Sequence, residues 1–118
     1  MTVKRVPVLF FRTESGNESV RSWLKSMAAR DRRLIGEDIK TVEFGWPIGM
    51  PTCRSLGVGL YEVRTDLPGN RIARVFFYVD KNKRMVLLHG ILKKTRATPA
   101  SDLNLARANK RKHEKGIT

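Results

Sequence analysis

A chain of 118 residues has room for one hydrophobic core, and 24 Lys and Arg against 11 Asp and Glu leave it at +13. That excess excludes few folds but selects partners, favouring a nucleic acid or another polyanion, with an acidic protein as a further possibility. The lone Cys53 excludes a disulfide framework and a thiolate metal cluster, and its ordinary role is a small buried side chain.

Arg5 to Phe11 reads as a first strand, β-branched and aromatic, with a proline that suits an edge or a strand start. Its apolar run is too short for a signal sequence or a membrane span, so a cytoplasmic protein is expected. Thr13 to Asn17 is a polar turn. Asn17 or Ser19 can cap a helix carrying Val20, Trp23, Leu24 and Met27 at helical spacing. A second helix follows from about Arg30, with Leu34, Ile35, Ile39, Val42 and Phe44 near one face. Gly45, Pro47, Gly49 and Pro51 then end regular structure. The two helices form a hairpin able to cover one side of a sheet.

Beyond Pro51 the period changes to two. In Leu60 to Thr65, Tyr61 and Val63 project one way, Glu62 and Arg64 the other. After a turn at Asp66 to Asn70, Arg71 to Val79 carries Ala73, Val75, Phe77 and Val79 on one face. Ile72, Arg74, Phe76 and Tyr78 lie on the other. A turn at Asp80 to Lys83 leads into Arg84 to Leu92, apolar nearly throughout and so expected to be a central strand. Pro99 suits the first turn of a last helix, about Ala100 to Lys112, anchored by Leu103, Leu105 and Ala106. The expected architecture is one α+β domain over residues 1–118, ordered β-α-α-β-β-β-α, with a curved, mainly antiparallel sheet.

Arg74 is the sharpest feature, because opposite an apolar face a cation has no packing role. Either its face is open or a fixed anion holds it, and Glu62 on the adjacent strand is the obvious candidate. A guanidinium beside Phe76 and Tyr78 also suits a phosphate flanked by stacked bases. The two roles are compatible. Lys93 and Lys94 follow the apolar strand, where mutual repulsion of two ammonium groups favours proton exchange by one of them; the plainer alternative is a solvated strand end. Arg107, Lys110, Arg111, Lys112 and Lys115 make the last helix basic, as a solvated tail or as phosphate contacts. His89 is the one histidine within the strands and reads as a satisfied structural side chain, while His113 falls in the basic tail. No HxH, CxxC, HExxH, carboxylate cluster or phosphate-cradling glycine loop occurs, so neither a metal nor a cofactor is expected.

Taken together, Gly57 to Arg64, Arg71 to Tyr78 and Leu87-Leu88-His89-Gly90-Ile91-Leu92-Lys93-Lys94-Thr95 resemble the RelE/ParE toxin superfamily. More narrowly they are similar to HigB-type toxins, the phage-derived Gp49-like family, and Pro99 with Asp102 to Ala106 continues the likeness. The resemblance implies a RelE-like fold and the toxin of a type II toxin–antitoxin pair. It implies a metal-independent endoribonuclease that cuts mRNA through the RNA 2′-hydroxyl, commonly in the ribosomal A site. It also implies a small helix-turn-helix, HigA-like antitoxin as partner. The working residues would be Arg64, Arg74, Lys93 and Lys94, with Glu62 orienting or acting as base. Phe76, Tyr78, Arg71, Arg96, Arg107, Lys110 and Arg111 would contact RNA. Some nucleases of the superfamily use a Tyr or His near the C-terminal segment, and Thr95 to Leu105 contains neither, which leaves the acid and base open. The competing expectations are a ParE-like gyrase inhibitor and a non-enzymatic nucleic-acid-binding protein.

Overall fold

The computed structural model describes residues 3–94 and 97–116. The chain runs β1 (Val8–Phe10), α1 (Ser19–Lys25), α2 (Ala29–Gly45), β2 (Cys53–Gly57), β3 (Leu60–Leu67), β4 (Arg71–Val79), β5 (Met85–Lys93) and α3 (Ala100–Glu114). The five strands form one sheet in the order β1-β5-β4-β3-β2, antiparallel except for the parallel pairing of β1 with β5. The α+β class, the helical hairpin on one face and the C-terminal helix match the expected RelE-like arrangement. Among the described residues no helix is long and apolar enough to cross a membrane.

β4 is the spine of the domain, because every residue from Ile72 to Tyr78 is buried and so both sheet faces are covered. On one face Ala73, Val75 and Phe77 join Val63, Met85 and Leu87 beneath Val20 of α1 and Ile35, Ile39 and Val42 of α2. On the other, Phe76 and Tyr78 join Phe11, Leu60, Val86, Leu88 and Ile91 beneath Ala106 and Leu103 of α3. Burying one such side chain contributes about 1.5–3 kcal/mol, so apolar packing on the two faces of the sheet dominates folding.

Polar contacts then set the position of α2. The Glu43 carboxylate accepts the Val8 N–H at 2.8 Å and draws β1 to the end of the helix. Asp38 accepts the Thr65 hydroxyl at 2.7 Å, and Asp31 meets the Arg71 guanidinium at 2.7 and 3.1 Å. That pairing holds the Asp31 carboxyl below its usual range, the Arg71 hydrogen bond being the main cause.

Two local expectations need correcting. Neither Asn17 nor Ser19 caps α1: Glu18 is the N-cap residue and makes no side-chain cap bond, while Asn17 closes the preceding turn through Thr13. A strand precedes Leu60, so the order is β-α-α-β-β-β-β-α. β2 shows no period-two pattern because, as an edge strand, it buries only Cys53 and half-buries Leu56. Burial also pushes the Cys53 thiol up to about 11, which fits an inert side chain. β5 is interior as expected, and its register with β4 shifts between Phe76 and Phe77. This bulge breaks alternation: Leu88 and His89 both lie on the α3 side, and Gly90 turns toward α1.

Gly90 is required by that approach, since a Cβ there would sit 2.6 Å from two ring carbons of Trp23. Gly90→Ala should therefore cost about 1–3 kcal/mol of stability through overpacking. Urea unfolding of the variant measures it, and the loss should shrink when the change is made in a Trp23→Leu background.

Candidate nucleic-acid interface

The strand register assembles the charged residues of the α3 side. Arg64 of β3, Arg74 of β4 and Ile91 of β5 stand opposite one another, and Lys93 stands opposite Ile72, one same-face step further along. Glu62 pairs with Phe76 and is therefore diagonal to Arg74. Their side chains meet, Arg74 Nε to Glu62 Oε1 at 3.0 Å, with 0% and 1% of the side chains exposed. Arg74 and Glu62 are thus brought together as a buried ion pair, not laid on an open surface. The idea that Arg74 lacks a packing role is overturned: it is the largest fully buried side chain in the domain.

Around this pair the cations differ in availability. Arg64 is partly exposed, 4.0 Å from Asp66, and lines a cavity of about 470 Å³ with Asp38, Met50, Pro51, Thr52 and Asp66. Lys93 and Lys94 are exposed at the end of β5 and make no ion pair among the described residues. The open end of the row is therefore Lys93, with exposed Lys94 next to it in the chain and Arg64 at its flank.

The expected RNA-contact residues separate. Phe76 is fully buried and Tyr78 nearly so, because α3 lies over their faces, so neither offers a ring to a base in this arrangement. Arg71 projects to the other side of the sheet, where Asp31 holds it. Arg107 donates to the Leu56 carbonyl, Lys110 pairs with Glu114 at 2.9 Å, and Arg111 is exposed. Arg96 lies outside the described residues. The basic tail is a helix through Glu114, its polar side toward solvent.

Three contacts of α3 carry no signal in the sequence. His89 Nε2 meets Asp102 Oδ1 at 2.8 Å, with the imidazole stacked on Phe76 at 5.9 Å between centroids and 10° between planes. Tyr78 Oη and His113 Nδ1 form a short hydrogen bond. Asn109, one turn before His113, donates to the Leu88 carbonyl at 2.9 Å. Asp102, Ala106, Asn109 and His113 recur at steps of four, three and four, the inward stripe of an amphipathic helix. Three of the four are polar, so the stripe is invisible to a search for apolar residues. Burial pushes the Tyr78 hydroxyl up to about 12, helped by nearby Asp80, and holds the His113 imidazole below its usual value. Tyr78 is therefore a neutral phenol and His113 a neutral ring, and the imidazole tautomer sets which of the two donates.

Residues 22–111, which run from within α1 into the last turns of α3, match the family described as phage-derived protein Gp49-like (DUF891). No curated protein was found to match the chain.

Breaking a buried ion pair strands a charge, whereas replacing both members by apolar groups restores packing. Arg74→Met and Glu62→Leu should each cost about 3–5 kcal/mol, and the double variant less than either. A double-mutant cycle in urea checks this. Additive losses would mean that the two side chains are not coupled.

Proposed function

Because the chain belongs to the phage-derived Gp49-like family, we propose that it is the toxin of a type II toxin–antitoxin pair, HigB-like, which cuts mRNA during translation. The observation that carries the reading is the row Arg64, Arg74 and Lys93, cations on one side of the sheet, with Lys93 and the following Lys94 exposed. Cleavage through the 2′-hydroxyl builds negative charge on a phosphorane, and fixed cations stabilise that charge more than the ground state.

In this reading Lys93 and Lys94 hold the scissile phosphate, and Arg64 holds a neighbouring one. Glu62 fixes the Arg74 guanidinium within the sheet. His89 is the best-placed group for proton transfer, because Asp102 and the Phe76 ring fix its orientation while it keeps partial exposure. The burial of Arg74, Glu62 and Phe76 favours a slow free protein that works when the ribosome presents the mRNA. An acidic helix-turn-helix antitoxin is the partner this account requires, and the surplus of +13 supplies the attraction.

Induced expression with transcript-end mapping tests the proposal. The parent should arrest growth and leave new ends within translated frames. Lys93→Ala/Lys94→Ala, altered only at exposed positions, should stay folded and lose about 10²–10³-fold in cutting. Growth arrest with intact transcripts would point to a gyrase-type target instead, and unimpaired cutting by the double variant would remove the lysines from the site.

A further inference from the structure

At the end of β4 away from Lys93 lies a cavity of about 510 Å³, lined by Tyr78, Lys81, Arg84, Lys110, His113 and the two acids Asp80 and Glu114. Ile72, opposite Lys93, and Tyr78 are six residues apart, roughly 20 Å at ordinary strand rise, so one phosphate cannot reach both ends.

Both acids in the cavity are already engaged. Asp80 accepts the backbone N–H groups of Asn82 and Arg84 at 3.0 and 2.9 Å and the Arg84 Nε at 2.8 Å. Burial opposes ionisation of this carboxyl, but those donors outweigh it and hold it below its usual range. Glu114 pairs with Lys110, whose ammonium lies 5.1 Å from the centroid of the Tyr78 ring. Donors remain over. Arg84 Nη1 and the exposed Lys81 ammonium have no partner among the described residues. His113 Nε2 likewise has no partner there, and it carries the ring proton in the tautomer whose Nδ1 accepts from Tyr78. With Asp80 and Glu114 each held by a cation and these donors left over, the three cations Lys81, Arg84 and Lys110 outnumber the two acids, and the cavity is complementary to an anion.

We propose that this cavity is a second RNA contact, taking one phosphodiester of a single strand between Lys81, Arg84 Nη1 and His113 Nε2–H. That the anion belongs to RNA rests on the toxin reading; the donor set does not. The groups facing His113 are Tyr78, Asp80, Lys81 and Arg84 from β4 and its turn, and Lys110 and Glu114 from α3 itself. A bound phosphodiester adds a negative charge to them and favours the imidazolium, with the Tyr78 hydroxyl rotating to accept from Nδ1–H. Binding therefore takes up a proton between the free and bound titrations of His113, and affinity rises as pH falls.

The probe is adenylyl-adenosine, whose single diester keeps a constant charge while His113 titrates, followed by NMR of the histidine ring signals. The dinucleotide should shift the His113 signals. Its affinity should be higher at about pH 5.5 than at about pH 7.5, as proton uptake by His113 requires. His113→Gln keeps an N–H donor but takes up no proton, so it should bind without this pH dependence. Lys81→Ser, on the exposed turn, should weaken binding at both pH values. Unshifted His113 signals, pH-independent binding by the parent, or full affinity in Lys81→Ser would overturn the site. Transcript mapping is scored separately: cutting without dinucleotide binding removes this cavity alone, and binding without cutting leaves it standing while the endoribonuclease reading falls.

Discussion

A guanidinium and a carboxylate with almost no exposure lie 3.0 Å apart on the α3 side of the sheet, between β3 and β4. Desolvating two such ions costs several kcal/mol, and mutual attraction offsets this only when the geometry is held. The holding is done by backbone register. Glu62 sits diagonal to Arg74 because Arg64 faces Arg74 and Glu62 faces Phe76. Slipping β3 by one residue would turn Glu62 to the α2 side and strand the arginine in an apolar core. The ion pair is thus a penalty on every wrong register as much as a bond in the right one.

The two faces of the sheet are covered by different means. Under α1 and α2 the contact is mainly apolar, with Asp31, Asp38 and Glu43 as tethers. α3 contributes one fully buried apolar side chain, Ala106, and a half-buried Leu103. Its remaining attachments are polar: Asp102 to His89, Arg107 to Leu56, Asn109 to Leu88 and His113 to Tyr78. Hydrogen bonds each contribute about 0.5–1.5 kcal/mol net, less than a buried aliphatic side chain. α3 therefore belongs to the less stable end of the domain, the kind of element that opens before global unfolding. It also covers Phe76 and Tyr78, the residues that composition marked for bases.

Much of this was legible in the residues. Alternation in Tyr61 to Val63 and Ala73 to Val79 reports the true faces of β3 and β4, and helical spacing of Ile35, Ile39 and Val42 reports the buried side of α2. The Glu62–Arg74 alternative was visible because same-face residues on adjacent strands meet. What stayed hidden has physical reasons. β2 joins β3 through Val58 and Gly59 at φ +54° and +74°, and an exposed valine in the left-handed region conceals a turn that Asn-Gly would announce. The bulge at Leu88–His89 leaves no mark in composition, yet it decides that His89 meets Asp102. Whether a basic strand face is open or covered depends on where a distant helix docks, and periodicity is silent on that.

The parallel pairing of Val8–Phe10 with Met85–Leu87 joins the beginning of the chain to its last strand. Synthesis delivers β1 well before β5, so β1 waits unpaired while the elements between them are made. The apolar side of α2 also waits, since the strands it covers follow it in the chain. Closing so long a loop is the slow, non-local step of folding. The row of Arg64, Arg74 and Lys93 is split between three strands, so it has no existence in a nascent chain that stops short of β5. Whatever the finished basic surface does, topology withholds it from the ribosome that is making the chain until β5 has been made.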